Sequence, residues 1–298
     1  MNPMNLSGVF APVPTPFDDR DEVDAARLRA AFAQWITRPI TGFVVLGSNG
    51  EAGLMDDFES DQVIVAARDA VPAGRPLIVG TARESTRAAI RAAKRAAEHG
   101  ADAVLVRTPA FFKTQMTGEV FVRHYTAVAD ESPVPVLLYN FTALTGVDLQ
   151  PAAVSRLATH PNIIGMKESG GDAARINDLV CGTPDTFQVL AGTASTFYPA
   201  LSVGAAGGIL APACVVPEAC QRVYELTRAG RHADALAVQR QVLPLARLLA
   251  TYGVPGLKSA LRLAGYDVGV PRPPLAPAPE AGIAQLREAL ALFEEIPA

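Results

Sequence analysis

The sequence predicts an α/β protein, a (β/α)8 barrel with an appended C-terminal helical region. Short aliphatic or β-branched runs alternate with helical patterns up to about residue 229. There are eight such runs, each followed by a helix. The runs are apolar without alternation, as in Phe43-Val44-Val45-Leu46, which fits strands covered on both faces. An open doubly wound sheet is the alternative arrangement of the same units. Residues 1–229 are assigned to the barrel and 230–298 to the helical region packed on it.

The first unit pairs a strand at 8–13 with a helix at 24–35, and the second pairs 42–46 with 56–70. In the third, strand 76–80 precedes helix 85–99, where Ala89, Ala92, Ala93, Ala96 and Ala97 share one face while Arg87, Arg91, Lys94, Arg95 and Glu98 lie around the others. Gly100 can take the left-handed conformation that ends it. The fourth and fifth units pair 103–106 with 117–130 and 136–139 with 151–160. Strand 163–167 leads to helix 172–179, which Asp172 can cap by accepting from a free amide. Strands 188–191 and 207–210 precede helices 195–203 and 217–229. Beyond lie helices at 231–251, with a kink expected at Pro244, then 254–264 and 282–293. Residues 271–279 carry five prolines and should form an extended connector.

Composition narrows the function. The chain has 298 residues, 49% hydrophobic and 19% charged, enough apolar surface for a sizeable core. Lysine and arginine total 26 against 30 acidic residues, so no basic face suits a phosphate backbone and nucleic acid is not an expected partner. The three cysteines, Cys181, Cys214 and Cys220, form no CxxC pair, and residues 1–10 lack the basic start and apolar core of a signal peptide. A cytoplasmic location is expected. Residues 186–217 contain no charge, but Pro199, Pro212, Gly192, Gly204, Gly207 and Gly208 fit buried strands and turns rather than a membrane span.

Barrel chemistry gathers at the C-terminal ends of strands. After the second strand comes Gly47-Ser48-Asn49-Gly50-Glu51, whose glycines allow a tight turn exposing amides beside a hydroxyl and a carboxamide. Such a turn can cradle a small carboxylate, or be simply a capped turn. It is not a phosphate loop, and Gly256-Leu257-Lys258-Ser259 resembles the tail of one only superficially. The fifth strand ends in Tyr139 and the sixth in Lys167. An amine in an apolar setting gives up its proton more readily, and the neutral amine attacks carbonyls. The alternatives are a lysine paired with Glu168 and a core tyrosine with a satisfied hydroxyl. Read together, they suggest an amine nucleophile with a proton-shuttling phenol. The four histidines, His99, His124, His160 and His232, are widely separated and no metal-ligand spacing occurs, so no metal is expected. GxSxG is absent, and Cys181 has no signature around it.

Gly47-Ser48-Asn49-Gly50-Glu51, Tyr139-Asn140 and Gly165-Met166-Lys167-Glu168-Ser169 resemble the three signatures of the dihydrodipicolinate synthase and N-acetylneuraminate lyase superfamily of pyruvate-dependent aldolases. The likeness continues through Gly192 and Gly253-Val254-Pro255-Gly256-Leu257-Lys258. It implies a barrel, usually tetrameric, with a Schiff base between Lys167 and a 2-keto acid and no separate cofactor. Within the superfamily the sequence is most similar to 4-hydroxy-2-oxoglutarate aldolases, which share the Ser-Asn form of the loop. They also share segments like His160-Pro161-Asn162-Ile163 and Ser169-Gly170-Gly171-Asp172.

Three positions depart from better-known members. Leu144 replaces the synthase arginine that holds an aldehyde carboxylate, and Phe111-Phe112 replaces a tyrosine pair. Thr193-Ala194-Ser195 replaces the Tyr-Asp-Glu of sialic-acid lyases. The resemblance therefore implies cleavage of 4-hydroxy-2-oxoglutarate, or a similar 4-hydroxy-2-keto acid, to pyruvate and an aldehyde such as glyoxylate. Lys167 and Tyr139 would be catalytic. Gly47, Ser48, Asn49, Ser169 and Gly192 would bind substrate, with Ser169, Asn140 or loop amides for its distal carboxylate. A 2-keto-3-deoxy sugar acid aldolase or a synthase-like enzyme is the alternative within the superfamily, and a non-catalytic keto-acid sensor the alternative outside enzymes.

Overall fold

The computed structural model describes residues 4–293; the outer ends of the two expected regions, 1–3 and 294–298, lie outside them. Eight parallel strands close in chain order: β1 (Gly8–Pro12), β2 (Gly42–Val45), β3 (Leu77–Gly80), β4 (Ala103–Arg107), β5 (Val136–Asn140), β6 (Ile163–Glu168), β7 (Gln188–Ala191) and β8 (Gly207–Ile209). Every expected strand is present, with ends moved by at most one residue. Pairing of Gly8 with Gly207 and of Phe10 with Ile209 closes the ring and excludes the open sheet.

Residues alternate across each strand, so Phe10, Val44, Ile78, Leu105 and Leu137 fill the barrel. Their neighbours Val9, Phe43, Val45, Val79 and Val104 pack beneath the helices. Those helices are α1 (Ala25–Trp35), α2 (Asp57–Ala70), α3 (Thr86–Glu98), α4 (Gly118–Glu131), α5 (Thr142–Thr145), α6 (Pro151–Leu157), α7 (Ala173–Cys181), α8 (Phe197–Ser202) and α9 (Pro217–Arg228). Side chains of Asp24, Ser85, Thr117 and Asp172 accept first-turn amides, and Asp56 with Glu59 forms a reciprocal capping box.

The differences from expectation are local. The four-residue α5 was not anticipated, the helix expected over 151–160 stops at Leu157, and that over 195–203 divides into a 3-10 turn (Ala194–Thr196) and α8. α10 (His232–Leu263) spans the helices expected over 231–251 and 254–264, and the boundary expected between them falls at Gly253, where φ is 58° and ψ −140°; the kink expected at Pro244 does not interrupt the helical dihedrals. Only glycine enters that region without strain, whereas Pro244 keeps helical dihedrals despite losing its donor. After α10, Tyr266 stacks on Trp35 at 5.2 Å, and α11 (Glu280–Ala291) packs on α10. Gln239 in α10 accepts from Tyr198 N at 3.0 Å and donates to Ala194 O at 3.0 Å, fixing the segment after β7. Among the described residues, no helix is long and apolar enough to cross a membrane.

Candidate active site

Tyr139 and Lys167 face each other in register on β5 and β6. Their strand neighbours Asn140 and Glu168 are likewise paired and, by alternation, point outward. Lys167 is 6% exposed, and its Nζ donates to the Tyr139 hydroxyl at 3.5 Å while lying 4.5 Å from the ring centroid. The Tyr139 hydroxyl is 2.8 Å from Ser48 Oγ, so the turn after β2 meets both strand ends. Phe141 stacks against Tyr139 at 6.1 Å and steadies the ring.

The structural alternative for Lys167 fails on geometry. Glu168 accepts instead from Arg175 Nε at 2.9 Å, Asn140 Nδ2 at 3.0 Å and Gly170 N at 2.6 Å. Arg175 also pairs with Asp148 at 2.9 Å. Among the described residues Lys167 has no carboxylate partner. Asn140 is committed too, donating to Asp148 at 3.0 Å and accepting from Leu149 N at 3.0 Å. Its expected availability for a distal carboxylate is therefore corrected: the register that brings Tyr139 inward turns Asn140 out of the barrel.

The turn itself is internally bonded through carbonyls. Gly50 N donates to Gly47 O at 3.1 Å and Glu51 N to Ser48 O at 3.2 Å. The Ser48 and Asn49 amides make no such bond among the described residues, leaving donors for an anion beside Tyr139. On the β6 side, Ser169 is buried and its hydroxyl has no partner among the described residues. Gly192 borders it so closely that an added Cβ would lie 2.0 Å from Ser169 Oγ and 3.0 Å from Lys167 Cε. Lys167, Tyr139, Ser48, Ser169 and Gly192 thus converge, with Gly47 and Asn49 in the adjoining turn. Phe111, Phe112 and Leu144 are 76%, 65% and 56% exposed.

Other reactive candidates fall away. Burial pushes the Cys220 thiol up to about 12 and raises Cys214 well above its usual value, which disfavours the thiolate. No group of three or more potential metal ligands occurs among the described residues. A cavity of about 520 Å3 opens at the opposite end of the barrel, where Arg75, Asp102 and Asn162 are bonded to protein atoms.

A closed barrel whose mouth joins an amine, a phenol and a hydroxyl defines a barrel enzyme built for carbonyl chemistry. The chain belongs to the dihydrodipicolinate synthetase family, which it matches over residues 5–292, and is a carbon–carbon lyase of the pyruvate-aldolase superfamily. It is 37% identical over 290 residues to a probable mitochondrial 4-hydroxy-2-oxoglutarate aldolase of Emericella nidulans, covering 95% of this chain and 94% of that one. It is 33% identical to a 4-hydroxy-tetrahydrodipicolinate synthase of an Exiguobacterium species, covering 98% and 99%. A prophage protein of the dihydrodipicolinic acid synthase family from E. coli K12, solved with pyruvate, superposes with a TM-score of 0.92 at 29% identity, covering 98% and 99%.

Proposed function

We propose that Lys167 forms a Schiff base with the C2 carbonyl of a 4-hydroxy-2-keto acid and releases pyruvate and an aldehyde, glyoxylate when the substrate is 4-hydroxy-2-oxoglutarate. The observation that carries this reading is the contact series Lys167 Nζ, Tyr139 hydroxyl, Ser48 Oγ at 3.5 Å and 2.8 Å. Nζ adds to C2, and Tyr139 donates a proton to the carbinolamine oxygen, which leaves as water. The phenolate then takes the C4 hydroxyl proton while the C3–C4 bonding pair moves to C3 and into the iminium, leaving an enamine and the aldehyde. Protonation at C3 and hydrolysis release pyruvate and restore the amine. Ser48 holds the phenol, the Ser48 and Asn49 amides receive the pyruvate carboxylate, and Ser169 bonds the far end of the substrate. The covalent amine makes a separate cofactor unnecessary.

The choice of substrate rests on the departure from the synthase pattern at Leu144 together with the aldolase relative, with the distal carboxylate left to Ser169 or loop amides. An arginine would grip an aldehyde carboxylate through two charge-assisted bonds, and Leu144 offers none. The aldolase relative supports 4-hydroxy-2-oxoglutarate over aspartate semialdehyde. The test compares kcat/KM for pyruvate release from 4-hydroxy-2-oxoglutarate and from 2-keto-3-deoxygluconate with synthase condensation. A faster synthase reaction overturns the assignment, and a faster sugar acid transfers it to that class. Borohydride reduction with pyruvate should add mass at Lys167; an unmodified chain under conditions that trap a control aldolase rejects the Schiff base. The reading includes a homotetramer, supported by the exposed Phe111, Phe112 and Leu144, and a cytoplasmic setting for the free thiols.

A further inference from the structure

The turn after β2 is held from the far end of the chain. Glu51 ends it in a left-handed conformation, φ 57°, and is buried with its carboxylate 2.6 Å from Lys258 Nζ on α10. The other carboxylate oxygen accepts from Arg272 N at 2.9 Å. Lys258, also buried, donates to Val270 O at 2.8 Å and lies 4.6 Å from the Phe17 ring centroid. The Arg272 guanidinium covers the same ring at 4.2 Å, donates to Leu54 O at 2.8 Å and pairs with Glu59. From the opposite side Thr15 Oγ1 donates to Gly50 O at 2.7 Å.

A tight turn needs none of this. Burying an ion pair removes two charges from water, and a non-glycine residue at positive φ adds strain, so both persist only where surrounding contacts enforce them. The enforced position is transmitted directly: Glu51 N donates to Ser48 O at 3.2 Å, and Ser48 Oγ touches the Tyr139 hydroxyl. We propose that Glu51, held by Lys258 and Arg272, is a positioning residue that aligns the Ser48 and Asn49 amides on the substrate carboxylate. This rests on the reading of that turn as the carboxylate cradle, and it makes the C-terminal helical region part of substrate recognition.

The test compares borohydride trapping of the full chain with pyruvate and with acetone, which offers a ketone but no carboxylate. Glu51→Gln keeps the shape and the acceptor for Arg272 N while removing the charge. Its trapping efficiency with pyruvate should fall about tenfold relative to that with acetone, the scale of one charge-assisted bond. Half-saturating pyruvate should rise while trapping at saturation changes less, and Lys258→Met should shift the ratio in the same direction. Equal losses with both ketones, or no loss, overturn the positioning role. Should Glu51→Gln fail to fold, Thr15→Val decides in the same assay: a smaller pyruvate-selective loss supports the proposal and an unchanged ratio overturns it. A wild-type chain trapped by neither ketone overturns this proposal together with the Schiff base. Wild-type trapping with unselective variants overturns only the positioning role.

Discussion

Lys167→Ala removes the amine itself, so turnover and trapping should vanish while the circular dichroism spectrum stays unchanged. Retained turnover would place the nucleophile elsewhere. Tyr139→Phe keeps the ring beside Lys167 and loses only the hydroxyl shared with Ser48. A loss of about 100-fold or more in kcat is expected, and a value within a few-fold of wild type would remove the phenol from the chemistry. Both residues are legible in sequence because each is a polar group closing an apolar strand, where only a strand-end pocket suits it. His124 belongs to a different account. Burial lowers its pKa from 6.5 to about 4, with Glu84 opposing weakly, while Nδ1 shares a hydrogen bond with Thr86 at 2.9 Å. The unfolded chain therefore binds the extra proton first, so stability is complete above about pH 6.5 and falls as pH drops toward 4. The contribution is roughly 3 kcal/mol. Urea midpoints measured across that range should fall less steeply in His124→Asn than in wild type; parallel curves would discount the histidine.

At the scale of elements, Glu168 joins β6 to β5 through Asn140 and to α7 through Arg175. Its side chain is fully buried, so Arg175→Met would strand a carboxylate and should lower stability by about 3–5 kcal/mol in denaturant unfolding. A change below about 1 kcal/mol would mean that Asn140 and the Gly170 amide suffice, on the usual scale of hydrogen bonds. In α10, Gly253→Ala meets no atom within 4 Å, so its effect isolates the backbone. It should destabilise by about 1–3 kcal/mol. Sequence places these features unevenly. Asn140 reads as a ligand because only the register with Glu168 shows where it points. In α10 the boundary between residues 251 and 254 is legible and falls at Gly253, whereas the kink expected at Pro244 is not found, because packing along α10 holds helical dihedrals there despite proline's lost donor.

For the whole molecule, strand count and order are legible because each βα unit carries its own hydrophobic pattern and turn residues. Closure of the ring follows from that count of eight, whereas the Glu51–Lys258 pair is not legible, because it joins chain segments with no shared local signal. The proposed tetramer would cover Phe111, Phe112 and Leu144, whose exposed rings and side chain present apolar surface to water. Sedimentation equilibrium should give four chains per particle, and Phe111→Ser with Phe112→Ser should lower that number. A wild-type mass of one chain would retire the tetramer.

The seam between Gly8 and Gly207 sets an order on biosynthesis. β1 leaves the ribosome early with one edge able to bond β2, while the partner for its other edge is not yet translated. At roughly 5–20 residues per second that edge waits on the order of 10–40 s. Lys258 and Arg272 emerge later still, so the nascent chain carries Lys167 well before it can brace the turn after β2.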